Sequence, residues 1–285
     1  MFSVVIPLYN KANYVQKTIE SVLNQTFSDF EVILVNDGST DNSLEVVKEI
    51  NDSRIRIFSK ENRGVSAARN YGIKKAQYEY ITFLDADDCW LPDYLETIKG
   101  MIKQYPQAGF FATSYTVADK LYRIDRLGRY LAKGEVLLIE DYCKSLIKFE
   151  IHEPWTGTIC VKKFLFDKIG GFREGIKRGE DTDMWLRLSF VTPFVWKNES
   201  KAIYYYETEN NSTSNISYKN TVPCWEWYAF GSSIYLKFFV NRCLYGYFKQ
   251  FNYRDKLFLL TKVNWFYASI HLLCLLGNKL GIKTM

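Results

Sequence analysis

The feature that most constrains this chain is a strand–helix beat running through its first hundred residues. Phe2 to Ile6, Phe30 to Val35, Arg54 to Phe58 and Tyr80 to Leu84 read as short strands. Between and after them, Asn13 to Asn24, Asp41 to Ile50, Val65 to Ala76 and Pro92 to Met101 carry apolar residues at helical spacing. Strands that are apolar throughout, each followed by a helix, predict a parallel sheet covered on both faces. Ligands of such sheets bind beyond the carboxyl ends of the strands. Those ends are Pro7-Leu8-Tyr9-Asn10, Asn36-Asp37-Gly38-Ser39, Ser59 to Gly64, and Asp85-Ala86-Asp87-Asp88. Two of the four are acidic where a ligand belongs.

The chemistry of these loops has more than one reading. Asp85 and Asp87, two apart at a strand exit, can offer oxygens to Mg²⁺ or Mn²⁺, which complete their shells with water and substrate phosphate. An acidic turn capping the next helix has the same spacing. Asp37 can accept a hydrogen bond from a nucleobase or ribose, or form an Asx-turn. Arg69, near a helix start, can hold a base or diphosphate with its planar fork, or be a surface arginine. Gly179-Glu180-Asp181 precedes a predicted helix with Met184, Trp185 and Leu188 inward. A carboxylate there can be a general base, or Asp181 or Asp183 can cap the helix. Trp155 and Trp185 can stack on a sugar or fill the core.

Beyond residue 105 the beat loosens. Phe110 to Tyr115 and Thr156 to Val161 read as strands and Ile139 to Phe149 as a helix. The charge is uneven as well. The chain carries +5 overall, yet residues 225–285 hold eight Lys and Arg against two acids. That segment is rich in Trp, Tyr and Phe, with Lys237, Asn241, Arg242 and Lys249 on one side of a helix, as in a helix lying at a membrane surface. A helical subdomain packed on the rest has the same composition. The 13-residue apolar stretch from Trp265 to Gly277 is about 20 Å as a helix, short of a roughly 30 Å hydrocarbon core. The six cysteines are too far apart for CxxC motifs and read as reduced, packing thiols. The amino terminus lacks a basic region and does not read as a secretory signal.

In order and spacing, six segments resemble glycosyltransferase family 2, inverting enzymes of the GT-A fold. They are Val4 to Asn10, Val35 to Asp41, Asn62-Arg63-Gly64 with Ala68 to Gly72, Phe83 to Asp88, Gly170-Gly171-Phe172, and Gly179-Glu180-Asp181. The resemblance implies an α/β, Rossmann-like, mostly parallel sheet with helices on both faces over 1–205, its nucleotide-binding half at 1–104 and its acceptor-binding half at 105–205. A linker at 206–224 and a helical, basic and aromatic extension at 225–285 lie outside it. By position, it implies that Pro7, Tyr9, Asp37, Arg69, Asp85 and Asp87 line the nucleotide-sugar site, with Asp37 on the base, Asp85 toward the ribose and Asp87 holding Mg²⁺ or Mn²⁺. Asp181 is implied as the catalytic base, with Glu180, Trp185 and His152 facing the acceptor. The implied reaction moves a sugar from a nucleotide-diphosphate sugar, with uridine diphosphate as carrier, to a hydroxyl of a glycan or lipid-linked glycan. The implied setting is cytoplasmic, peripheral at the inner face of the cell membrane, with no nucleic-acid partner.

Competing classes fit less well. A sugar nucleotidyltransferase needs a glycine-rich phosphate loop after the first strand, and Leu8 to Asn13 has no glycine. The same loop lacks the G-x-G-x-x-G of NAD-binding folds. A non-catalytic nucleotide-sugar-binding or membrane scaffold would have no use for Asp37, Asp87 and Asp181 together.

Overall fold

The computed structural model describes residues 1–119, 123–151 and 154–206, with scattered positions between 221 and 244. Strands β1 (Phe2–Leu8) and β2 (Phe30–Asn36) are buried at every position. They pair in parallel from Phe2 opposite Phe30 to Leu8 opposite Asn36. β3 (Ile55–Ser59) extends the sheet beyond β2, and β4 (Tyr80–Phe83) flanks β1 from Phe2 to Val5. Pro7 lies past the last β4 pairing, where a missing N–H breaks no ladder on that side.

Helices cover both faces of this sheet. Even-numbered residues of β1 pack on α1 (Val15–Leu23) through Val15, Ile19 and Val22, and on α4 (Tyr94–Gln104) through Tyr94, Leu95 and Ile98. Val5 points the other way, onto α3 (Val65–Lys75). There a Cβ at Gly72 would stand 2.3 Å from a Val5 methyl, so only glycine lets helix and strand approach this closely. α2 (Ser43–Lys48) follows β2.

The remaining elements are β5 (Cys89–Trp90), β6 (Phe110–Ala118), β7 (Arg123–Asp125), β8 (Val136–Ile139), α5 (Tyr142–Lys148), β9 (Ile159–Lys162), α6 (Phe164–Ile169), α7 (Glu180–Ser189) and β10 (Phe194–Tyr205). All strands join one ten-stranded sheet, ordered β3-β2-β1-β4-β9-β6-β10-β5, with β7 beside β6 and β8 beside β10. β9 is antiparallel to both β4 and β6, while β10 is parallel to β6. So β3, β2, β1, β4, β6 and β10 all run one way, and the reversed strands are short. This is the mostly parallel α/β sheet expected from the beat.

Two expected elements are shorter. Ile139 belongs to β8, paired with Phe194, and the helix begins only after Asp141, whose carboxylate accepts from the Lys144 N–H at 2.9 Å. Residues 156–158 form a 3-10 turn, and the strand starts at Ile159.

The chain divides into two compact units, residues 1–175 with 180–212, and residues 176–179 with 213–285. In the second, Arg178 bridges Thr221. Positions 235–237, 239–240 and 242–244 are helical. Leu236, Phe239, Val240 and Leu244 are buried there at helical spacing, while Arg242 is exposed. The expected linker and the rest of the basic, aromatic extension lie outside the described residues. Among the described residues no helix is long and apolar enough to cross a membrane.

Candidate active site

The carboxyl ends of β1, β2 and β4 converge. Beyond β1, Pro7 is buried in the strand and Tyr9 is 43% exposed, its ring open to a planar ligand. Asn10 adopts φ 51° and accepts from the Thr40 N–H at 2.8 Å. A polar cleft of about 470 Å³ lies here, lined by Asn10, Lys11, Asn13, Tyr14, Asp41 and Asn42.

Asp37, just past β2, is buried, and its carboxylate gathers the loop after β3. It accepts from the Gly64 N–H at 2.8 Å and the Arg63 N–H at 3.1 Å, and pairs with the Lys60 ammonium. Gly38 and Gly64 take φ 72° and 86°, which only glycine adopts freely. Asp37 therefore stands at the expected place, but with three groups of this chain already on it.

The turn after β4 closes with the Asp88 N–H on the Asp85 carbonyl at 3.1 Å. Its three carboxyls meet three different fates. Asp85 pairs with Arg69 at 2.7 Å. Asp87 pairs with the Lys11 ammonium at 2.7 Å. Asp88 is buried; one oxygen accepts from the Tyr205 N–H at 2.8 Å, and the other has no hydrogen-bond partner among the described residues. Burial, then the nearby Asp87 and Asp85, push the Asp88 carboxyl well above its ordinary range. Tyr204, its hydroxyl pushed up to about 12 by burial and by the same three aspartates, flanks this turn. Its ring packs tilted against Trp155 at 5.3 Å, and Trp155 against Tyr115 at 5.4 Å, making an aromatic wall.

Arg69 connects this turn to the acidic start of α7. It is buried at 3% exposure, and its second arm reaches Glu180 at 3.3 Å. The Phe172 ring lies 5.4 Å beneath its guanidinium. Burial opposes the Arg69 charge, but Asp85 and Glu180 more than offset it and hold the guanidinium charged. Arg69, expected at the base or diphosphate, pairs here with two carboxylates of the protein. Glu180 is pushed up to about 7 by burial and by the neighbouring Asp181, with Arg69 pulling the other way.

α7 is anchored by Asp183, fully buried between Arg187 at 2.7 Å and Arg173 at 3.2 Å. Arg187 also donates to the carbonyls of Ile169 and Gly171. The glycine loop and the helix are thus one rigid piece, presenting Glu180 and Asp181. Asp181 accepts from the Thr182 N–H at 2.7 Å and has no ion pair among the described residues. Trp185 does not face an acceptor: it is fully buried, its indole edge-on to Phe172 at 5.7 Å, because the helix turns it into the core. His152 lies outside the described residues.

The structure thus brings Asp85, Arg69, Glu180 and Asp181 together, with Asp87 in the same turn. Sequence reasoning missed Lys11, Lys60 and Tyr204. Lys11 and Lys60 do lie in strand-exit loops, but no spacing pairs them with Asp87 and Asp37. No cluster of three or more His, Cys, Asp or Glu able to hold a metal occurs among the described residues. Asp87 nonetheless fits such an ion: it already holds a cation, and Mg²⁺ needs only one or two carboxylates beside substrate phosphates.

The sequence model described as Glycosyl transferase family 2 matches residues 3–170, more than half of the chain. A chondroitin synthase of Pasteurella multocida is 34% identical over 224 residues, covering 76% of this chain and 22% of its own. A Pasteurella multocida hyaluronan synthase is 34% identical over 222 residues, covering 75% and 21%. A Rickettsia bellii protein named an uncharacterized glycosyltransferase is 38% identical over 195 residues, covering 66% and 26%. The chain spans about a quarter or less of these relatives. Among solved structures, S. aureus TarS 1–349 in complex with UDP-GlcNAc superposes with a TM-score of 0.65 at 18% identity, covering 85% of this chain and 66% of that one. At that identity the likeness speaks for the fold, which is GT-A.

Proposed function

The chain belongs to glycosyl transferase family 2, and on that premise we propose that it transfers a sugar from a UDP-sugar to a hydroxyl of a glycan or lipid-linked glycan, with inversion. The observation that carries this is the Arg69 bridge. It holds a strand-exit carboxylate, Asp85, and an acidic helix start, Glu180-Asp181, on one guanidinium across 111 residues of sequence. Donor-side and acceptor-side groups need such fixed spacing for in-line displacement. The UDP-GlcNAc of the TarS complex and the polysaccharide-synthase relatives support the donor and acceptor classes.

Tyr9 stacks on the uracil, and Asp37 with Lys60 offers an acceptor beside a donor, matching the N–H and carbonyl of an imide edge. Asp85, fixed by Arg69, meets the ribose. Asp87 is the residue that would hold a divalent cation, which when bound offsets charge growing on the departing diphosphate. Asp181 takes the proton from the acceptor hydroxyl as its oxygen bonds the anomeric carbon and the bond to the diphosphate breaks on the opposite face. Leu236, Phe239, Val240 and Leu244 are buried, which favours packing over lipid contact at those positions.

Calorimetry with UDP, GDP and dTDP, with and without Mn²⁺, tests the donor site. Metal-dependent binding of UDP alone is expected, and a folded protein that binds none of the three would sink the proposal.

A further inference from the structure

Two carboxylates of this turn each meet a cation of the protein, Asp85 the Arg69 guanidinium and Asp87 the Lys11 ammonium. The two cations differ in what they can do next. Arg69 is a rigid fork, buried, shared by two carboxylates and stacked over Phe172. Lys11 is a compact charge on a four-carbon stem, rooted in the loop at the polar cleft, with 12% of its side chain exposed. A divalent cation on Asp87 would stand within a few ångströms of the ammonium, and two like charges that close repel strongly outside bulk water. One of them must leave, and the lysine, on its flexible stem, is better able to swing away than the buried, doubly paired Arg69. A diphosphate arriving with the metal supplies the anion onto which an ammonium can transfer.

We propose that Lys11 is a resident counter-ion that holds Asp87 until a divalent cation replaces it, and that the displaced ammonium then engages the donor's diphosphate. This rests on Asp87 being the carboxylate that holds the metal. Replacing the side chain leaves the loop in place, because its anchor is the Lys11 backbone N–H on the Ser43 hydroxyl at 2.7 Å.

The test is Mn²⁺ binding to the full chain without nucleotide, read from the free-ion signal in electron paramagnetic resonance. Lys11→Met, with Lys11→Gln as a second variant, is expected to bind Mn²⁺ about tenfold tighter than the unsubstituted chain, once the competing ion pair is gone. With Mn²⁺ saturating, UDP affinity is expected to fall about tenfold in the same variants while uridine affinity holds. Mn²⁺ binding that is unchanged or weaker, or UDP affinity that falls no further than uridine affinity, overturns the exchange. Asp87→Asn separates this from its premise. Mn²⁺ binding that survives Asp87→Asn overturns the metal role of Asp87 and the exchange with it.

Discussion

The turn after β4 and the start of α7 are built alike and behave differently. Each holds three carboxyls within four residues: Asp85, Asp87 and Asp88 in one, Glu180, Asp181 and Asp183 in the other. In each, one member is buried beyond reach of solvent, one is tied to Arg69, and one faces the site. The buried members diverge first. Asp183 lies between two arginines, whereas Asp88 forms no ion pair among the described residues and burial pushes its carboxyl well above the ordinary range. The facing members diverge next. Asp87 has a resident ammonium, while Asp181 has no ion pair among the described residues. A carboxylate that already holds a cation is suited to exchange it for another. One with no ion pair among the described residues is suited to take a proton. The same residue types thus serve donor anchoring in one place and base chemistry in the other, according to which cations the fold supplies.

The largest expected effect falls on the facing base. Asp181→Asn should lower sugar transfer about 10³-fold, while UDP binding by calorimetry stays within a factor of two or so; normal turnover would end the base assignment. Next come the buried pair. Asp183→Asn should cost about 1–3 kcal/mol in urea unfolding, because the fully buried carboxylate that holds both Arg187 and the partly exposed Arg173 loses its charge. Asp88→Asn should change stability by less than about 1 kcal/mol, since an amide of the same shape can still accept from the Tyr205 N–H and no ion pair of the described residues is broken. Equal losses in the two variants would erase the contrast between the buried members. Arg69→Lys retains charge but not the fork, so both turns remain while their spacing loosens. Transfer should drop about 10²-fold with little change in stability, as separate kinetic and unfolding measurements would show.

The smallest effect is a slope. Glu180 titrates at about 7 in the folded chain and at about 4.3 unfolded. Between those values the folded state holds a proton the unfolded state has lost, so stability falls as pH rises through this window. Melting temperature measured from pH 5 to 8 should therefore decline, and Glu180→Gln should flatten the decline. An unchanged slope in that variant would place the titration elsewhere.

Much of the fold was legible in the chain because βαβ units are local. β1 through α4 follow from apolar runs and helical spacing within a few residues of the observed ends. The second half was legible only in part. Ile139 read as the first residue of a helix, and Val136 to Leu138 went unassigned, because a short apolar run has no period of its own; the strand they form is made by pairing with Phe194 to Lys197, distant in sequence. β10 carries Lys197, Asn198, Glu199 and Ser200 in mid-strand, which hides a strand from any hydropathy pattern. Only its place between β6 and the short reversed strands makes it one.

The site divides the same way. The residue types at the strand exits and the acidic helix start were set by sequence, and with them the family and the chemistry open to the chain. Which cation meets which carboxylate was decided by tertiary structure alone. Arg69 turned out to be a bridge within the protein, Lys11 the partner of Asp87, and Trp185 a core residue. The reason is electrostatic. A charge near a ligand site has several candidate partners along the chain, and distance, burial and side-chain freedom choose among them only once the sheet has brought its strand ends together.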